Sequence, residues 1–191
     1  MATRQATYAD IEALPPHVTG EILYGHLYTQ ARPARRHGGA ASVLGMLLGN
    51  PFQLGRGGPG GWTFVVEPEL HLGEHVLVPD IGGWRNASVT EPAEQAHFAV
   101  APDWACEVLS PGTEQRDRGL KRKIFADYGV GHLWFVDPRP RIVEVFELRD
   151  SAYSLVDTFS GDVEVSAPPY SELSFDLNLL WPFDKPSNPA A

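Results

Sequence analysis

The segment from Val78 to Asp137 constrains the fold of this chain most strongly, because it alternates apolar runs with turn signals around one helical stretch. Asp103 to Leu109 is an apolar run that ends at Ser110-Pro111-Gly112, and this pattern predicts a strand followed by a turn. A helix is predicted from residues 113–114 to Gly129, which is a natural helix C-cap. A further strand is predicted over His132 to Asp137.

The remaining sequence predicts short strands and two more helical regions. A capping-box pattern opens a helix over Tyr8 to Leu14, and a second helix is predicted over His37 to Leu48. Strands are predicted within 21–29, 62–67, 76–84, 141–148, 153–159 and 163–165, and a closing helical turn over 175–180. This strand-rich order favours an α/β or α+β fold with a mixed sheet flanked by helices.

Length and composition favour one globular domain. The 191 residues are enough to bury a full core, and we expect a single domain over 1–184 with a disordered tail over 185–191. No apolar run approaches the roughly 20 residues of a membrane span, and the first residues do not resemble a secretory signal. We therefore expect a cytoplasmic protein without a membrane partner.

The cysteine content excludes two kinds of site. Cys106 is the only cysteine, so the chain can form neither an internal disulfide nor a cysteine-rich zinc site. It precedes Glu107 on a predicted strand, so the two side chains should point to opposite sheet faces. Cys106 is interpreted as a buried core thiol.

Two acidic residues stand beside otherwise apolar strand segments. Asp80 follows Val76-Leu77-Val78 and Pro79, and Glu107 lies within a predicted strand. A carboxylate in apolar surroundings needs a cation or a hydrogen-bond donor to stay charged. A hard divalent ion such as Mg²⁺ would satisfy both acids and would also accept phosphate oxygens. Taken singly, Asp80 could be a turn residue and Glu107 a strand-edge acid.

A lysine follows these acids on the predicted helix. At the helical period, Asp117 and Lys121 fall on the same inward stripe as Ile124 and Phe125, whereas Lys123 faces away. Lysine seldom points towards a core without a partner. Lys121 either pairs only with Asp117, four residues before it, or reaches across to the strand acids, and the second interpretation is favoured.

The net charge of −9 argues against a protein that coats nucleic acid nonspecifically, since such binding depends on neutralising phosphates. Positive charge is nevertheless clustered, in Arg32, Arg35, Arg36 and His37 and again in Arg116, Arg118, Lys121, Arg122 and Lys123. These clusters are either solvated faces or a surface that meets phosphate, and the basic helix favours an anionic substrate.

A pair of histidines raises the question of zinc. His71 and His75 lie four residues apart, but Gly73 between them indicates a hairpin, so the spacing does not place them on one helical face. Metal binding by this pair is the less favoured interpretation.

The motif order resembles that of a known family. Val78-Pro79-Asp80, Glu107-Val108-Leu109-Ser110-Pro111, Asp117-Arg118 with Lys121, and Trp134 with Val136-Asp137-Pro138 resemble the Uma family of restriction endonuclease-like proteins, within the PD-(D/E)XK nuclease superfamily. The resemblance spans most of the chain and implies a restriction-endonuclease-like core.

The resemblance also implies roles for particular residues. Asp80 and Glu107 would be metal ligands, and Lys121 would take the catalytic lysine role. The superfamily usually carries that lysine two residues after the second acid, where this chain has Leu109, so the lysine would have migrated to the following helix. Glu21 is either a third carboxylate or a surface strand residue, and His37 is either a contact to the site or phosphate or a helix-start residue.

The leading hypothesis is an endonuclease that hydrolyses DNA with Mg²⁺, or alternatively Mn²⁺. A homodimer is expected because two strands need two cuts. The first alternative is a catalytically inactive nuclease-fold module that binds nucleic acid or a protein partner, and the second is a phosphoesterase acting on small substrates. No separate recognition domain is evident, so specificity should come from loops 31–39, 55–61 and 85–101.

Overall fold

A computed structural model of the chain describes residues 4–30, 33–89, 92 and 94–184, so the tail predicted over 185–191 lies outside the described residues. The α-helices are α1 (Tyr8–Glu12), α2 (Arg35–Leu48), α3 (Glu114–Arg116) and α4 (Arg122–Asp127). Gly49–Gln53 and Asp117–Lys121 are π-helical, and Leu177–Leu180 is a 3-10 helix. The strands are β1 (Thr19–Leu23), β2 (His26–Gln30), β3 (Trp62–Val66), β4 (Leu70–Leu72), β5 (His75–Leu77), β6 (Ile81–Arg85), β7 (Trp104–Val108), β8 (His132–Asp137), β9 (Ile142–Arg149), β10 (Ala152–Ser160), β11 (Glu164–Val165) and β12 (Phe175–Asp176).

The largest sheet has six strands in the order β10-β9-β8-β7-β6-β3. β7 and β8 are parallel, with Glu107 opposite Phe135, and the other neighbours are antiparallel. Parallel neighbours need a crossover connection, and here the helical segment from α3 to α4 makes it. The sheet is therefore mixed, as predicted.

A second sheet has the order β2-β1-β5-β4 and is antiparallel throughout. The prediction of one strand over 76–84 is wrong: β5 belongs to this sheet, whereas β6 belongs to the six-stranded one. Pro79 lies between them and has no backbone N–H to donate to a ladder, so pairing stops there. Asp80 consequently sits at the junction of the two sheets.

The hydrophobic core forms two clusters, and successive residues of β7 alternate between them. Trp104 and Cys106 pack in one cluster with Leu44 and Leu48 of α2. Ala105 packs in the other, which also holds Ile124 and Phe125 of α4, and Leu109 lies there as well. Cys106 is buried in the first cluster, which confirms it as a core thiol.

Helix boundaries differ from the predictions in three places. The predicted helix up to Gly129 forms over 114–127 but contains the π-helical turn Asp117–Lys121. The closing helical turn predicted over 175–180 begins only at Leu177, because Phe175–Asp176 forms the short strand β12. Helix α2 begins at Arg35, so the described part of the predicted loop 31–39 is mostly helical. Within the described residues, no helix is long and apolar enough to cross a membrane.

Candidate active site

Lys121 is the centre of a buried charge cluster. Its Nζ lies 2.7 Å from Glu107 Oε1 and 2.9 Å from Glu21 Oε1, and it donates to the Val78 carbonyl at 3.1 Å. Asp117 Oδ1 is more distant, at 3.9 Å. Lys121 is 1% exposed. The prediction that this lysine points inward, and pairs with a strand acid rather than only with Asp117, is therefore confirmed by these contacts.

The local fold explains how an ammonium group reaches this place. Asp117 and Lys121 bound the π-helical turn, and both are buried. The same helical segment buries Ile124 and Phe125 against the sheet. Glu107 is on the sheet face that this segment covers, because it alternates with Cys106 along β7.

Glu21 joins the cluster from the second sheet. It lies on β1, is 1% exposed, and accepts a hydrogen bond from Val78 N at 2.9 Å through Oε1. Its other oxygen, Oε2, lies 3.3 Å from Arg116 Nη2. Of the two interpretations offered by the sequence, the surface strand residue is therefore wrong. Through its ion pair with Lys121, Glu21 connects the second sheet to the helical segment.

Asp80 and His37 stand at the edge of this cluster and face a cavity. His37 Nε2 lies 3.2 Å from Asp80 Oδ1, while Asp80 Oδ2 accepts a hydrogen bond from Val108 N at 2.7 Å. Both residues line a cavity of about 340 Å³, together with His17, Thr19, Gln30, Pro33, Glu67, Ser110 and Thr113. His37 is on the first turn of α2, so it is both a helix-start residue and a contact of Asp80.

Register explains why Asp80 and Glu107 are neighbours. β6 and β7 are antiparallel with Ile81 opposite Cys106, and one step further along this register Asp80 stands opposite Glu107. Directly opposed residues of antiparallel strands have Cα atoms about 4.5–5.5 Å apart. Asp80 lies just outside β6, but the hydrogen bond that Val108 N donates to its side chain holds it next to β7.

The cluster controls the protonation of its members. Burial raises the pKa of Glu107 well above its usual range, and Asp117, Asp80 and Glu21 add to the shift, while Lys121 opposes it. Burial alone would lower the pKa of Lys121, but the charges of Glu107, Glu21 and Asp117 outweigh it and raise that pKa. The lysine therefore stays protonated.

The donor set fits a hard divalent cation. Lys121 lies within 3.9 Å of Glu21, Glu107 and Asp117, and Arg116 contacts Glu21. Asp80 adds to the raised pKa of Glu107, so the site has four carboxylates and two cationic side chains. Mg²⁺ takes few carboxylates and keeps several waters. Asp80 and Glu107, adjacent across two strands, supply such a pair.

Several site residues were not singled out from the sequence. Arg116 contacts Glu21, and Ser110 and Thr113 line the cavity with their hydroxyl oxygens 3.0 Å apart. Glu67 also lines it. Ser110 and Thr113 belong to the turn that follows Glu107, and this position could have marked them as site residues. Arg116 carried none beyond its place in a basic cluster.

The two histidines of the β4–β5 hairpin, His71 and His75, have different partners. His75 is buried, and its Nδ1 accepts a hydrogen bond from Tyr24 N at 3.2 Å. His71 instead stacks on His97, with ring centroids 3.9 Å apart. Among the residues that the structure describes, Glu69, His71 and His97 are the only group of three metal-ligating side chains whose ligand atoms all lie within 4.8 Å.

Comparison with known proteins identifies the family. A family model described as "Uma2: Putative restriction endonuclease" matches residues 6–179. The chain belongs to the Uma2 family. A crystal structure from Anabaena variabilis, of a "putative nuclease belonging to DUF820", is 22% identical to this Uma2 protein. The structural match covers 92% of this chain and 97% of the Anabaena chain, with a TM-score of 0.72. The two proteins therefore share a fold. No curated protein matches the chain.

Membership of the Uma2 family supports a nuclease function and a nucleic-acid substrate. It also accounts for the motif order, since Asp80, Glu107 and Lys121 all lie within the matched residues. The restriction-endonuclease-like mixed fold predicted from the sequence is confirmed.

Proposed function

We propose that this chain is a metal-dependent endonuclease that hydrolyses phosphodiester bonds in DNA. The observation that carries the proposal is the adjacency of Asp80, on the wall of an open cavity, to Glu107, which is held by a protonated lysine. A phosphodiester needs its attacking water and its leaving oxygen stabilised at one place. The cavity wall at Asp80 is the proposed place.

Asp80 and Glu107 are the proposed ligands of Mg²⁺ or Mn²⁺. Bound there, the metal would orient water and stabilise the developing charge at phosphorus. Asp80 is the ligand that faces the cavity, and Val108 N fixes the orientation of its carboxylate. Glu107 lies behind it, and a cation beside this buried carboxylate would favour its charged form.

Lys121 acts as a positioning residue in this proposal. Its ammonium group already contacts Glu107, Glu21 and the Val78 carbonyl, and it does not line the cavity. It therefore stabilises the ionised Glu107 and fixes its rotamer. The lysine role that the family resemblance implies is therefore proposed to be indirect in this chain, through Glu107.

His37 is a cavity residue that can hold a proton near neutral pH and that also contacts Asp80. Burial lowers its pKa, but the hydrogen bond and charge of Asp80 more than offset this and raise it. A protonated His37 would bind a phosphate oxygen and stabilise the Asp80 carboxylate. Ser110 and Thr113 add hydroxyl donors to the same wall.

A homodimer remains part of the proposal, because cleavage of both DNA strands needs two such sites. Specificity is proposed to come from the described parts of loops 55–61 and 85–101 and from the start of α2. DNA is preferred over RNA as substrate on the family description alone.

The test is cleavage of supercoiled and linear DNA with Mg²⁺ or Mn²⁺ by the wild type and by Asp80→Asn, Glu107→Gln and Lys121→Met. All three variants should lose cleavage, and a chelator should abolish it in the wild type. Glu74→Gln, at an exposed hairpin residue, is the matched control and should cut normally. Cleavage that survives Asp80→Asn would overturn the assignment.

The second candidate is a nuclease-fold module that binds nucleic acid without cutting it. It is favoured by the burial of two residues: Leu109, directly after β7, where the superfamily usually carries lysine, and Lys121 itself. A wild-type protein that retains DNA in a gel-shift assay with Ca²⁺ but cuts nothing with Mg²⁺ or Mn²⁺ would favour this candidate.

A further inference from the structure

A second cluster of ligand-type side chains lies on the β4 edge of the four-stranded sheet. The ligand atoms of Glu69, His71 and His97 all lie within 4.8 Å of one another. His71 Nε2 is 2.7 Å from Glu69 Oε1, and the His71 and His97 rings are stacked. We propose that these three residues bind a borderline transition-metal ion, of which Zn²⁺ is the representative.

The backbone places the three side chains on one face. In β4, Leu70 and Leu72 are buried, so Glu69 and His71 point to the opposite, partly exposed face. The segment around Phe98 pairs with this strand: His71 N donates to Phe98 O, and Phe98 N donates to Glu69 O. Phe98 stacks on Trp84 in the core, which turns His97 outward beside His71.

The chemistry of the donor set selects the class of ion. Two imidazoles and one carboxylate suit Zn²⁺ and its neighbours, whereas Mg²⁺ and Ca²⁺ prefer oxygen ligands throughout. The group is therefore distinct from Asp80 and Glu107, the proposed Mg²⁺ ligands. Three protein ligands leave one position for water.

Tyr8 supports the cluster from α1. Its hydroxyl donates to Glu69 Oε1 at 2.8 Å, and its ring packs edge-on against His71 at a centroid distance of 4.9 Å. Such outer contacts orient metal ligands. The site would therefore connect three separate pieces of chain: α1, the β4 strand and the segment that carries His97.

One rearrangement accompanies binding. The stacked rings are nearly parallel, at 15°, so their nitrogen lone pairs cannot meet at one ion in this orientation. A Zn–N distance of about 2.0–2.1 Å requires one ring to turn. His97 is the ring that turns, because it lies in a loop rather than in a strand.

The experiment is a titration of the protein with Zn²⁺ against a chromophoric chelator, in an Asp80→Asn background that weakens the proposed Mg²⁺ site. One Zn²⁺ per chain is expected. His97→Ala and His71→Ala should each weaken binding at least about tenfold, the lower range for loss of even an outer-shell partner. His26→Ala, which removes an exposed histidine of β2, is the control and should bind as before.

A second measurement keeps the test independent of folding and of nuclease activity. Co²⁺ in place of Zn²⁺ should give visible absorption bands of a four-coordinate site in the His26→Ala protein but not in the His97→Ala protein. Zn²⁺ binding that is unchanged by His97→Ala would overturn the proposal, as would the absence of stoichiometric binding in the parent. Neither result would bear on DNA cleavage.

Discussion

Replacement of Lys121 by methionine tests the physical basis of the buried charge cluster. Methionine keeps much of the volume of the side chain but removes the ammonium group that contacts Glu107 at 2.7 Å and Glu21 at 2.9 Å. Removing one partner of a buried ion pair typically costs about 3–5 kcal/mol, because the other charge is left uncompensated. We expect a loss of this size in the free energy of unfolding at pH 8.

The loss should depend on pH in a defined direction. Without Lys121, the pKa of Glu107 must rise further than burial already raises it, so the folded variant takes up a proton that the folded wild type does not. Stability relative to the wild type then recovers as pH falls, by up to about 1.4 kcal/mol per pH unit for one proton. The deficit should therefore be smaller at pH 6 than at pH 8.

Urea unfolding followed by tryptophan fluorescence measures both effects, since the chain has 5 tryptophans. Lys123→Met is the matched control, because Lys123 lies on the same helical segment, is 64% exposed and pairs only with Asp127 among the described residues. It should change stability by less than about 0.5 kcal/mol. The double variant Lys121→Met/Glu107→Gln should recover part of the loss.

Two results would refute the reasoning. A loss below about 1 kcal/mol at pH 8 would mean that the carboxylates are hydrated or already neutral, so that the lysine compensates nothing. A loss of the expected size that is constant between pH 8 and pH 6 would point to a packing defect instead of an unpaired charge.

Two further predictions concern the metal and the helix end. Because burial raises the pKa of Glu107, protons should compete with Mn²⁺ for this carboxylate at acid pH, below the range in which Lys121 keeps it ionised. The Mn²⁺ affinity measured by isothermal titration should therefore fall as the pH drops below 6, and an affinity independent of pH would contradict Glu107 as a ligand. Gly129 has φ +76° with open space around its Cα, so Gly129→Ala should cost about 1–2 kcal/mol in urea unfolding. Gly112, which has open space without a positive φ, should tolerate alanine, and equal effects at both glycines would disprove this explanation.

The elements that could be predicted from sequence are those whose periodicity reports burial directly. β7 was predicted from a continuous apolar run that ends at a turn signal, and the helix after it from apolar residues that recur at the helical period of 3.6. The same helical period placed Lys121 inward. A side chain on an inward stripe must be buried whatever the surrounding topology, so this prediction did not require knowledge of the partner strands.

The elements that could not be predicted depend on long-range pairing. Residues 76–84 are apolar except for Asp80, and periodicity does not reveal that β5 and β6 pair in different sheets. Pro79 was the local signal for the break, but a proline at a strand edge is also common. Arg116 was missed for the same reason, because its partner Glu21 lies 95 positions earlier in the chain and comes near it only through the second sheet.

The architecture is compatible with the proposed move of the superfamily's lysine to the helix. Leu109 lies two residues after Glu107, so both are on the same face of the sheet, and Leu109 is buried against the helical segment that covers that face. A lysine on the covering segment approaches the Glu107 carboxylate from the opposite side of the same layer. An ammonium group could therefore compensate the charge of Glu107 either from the position of Leu109 or from the helical segment. Lys121 is buried and contacts an acid of each sheet, whereas Asp80 and His37 line the cavity, which is why we propose that the lysine positions Glu107 and that Asp80 and His37 face the substrate.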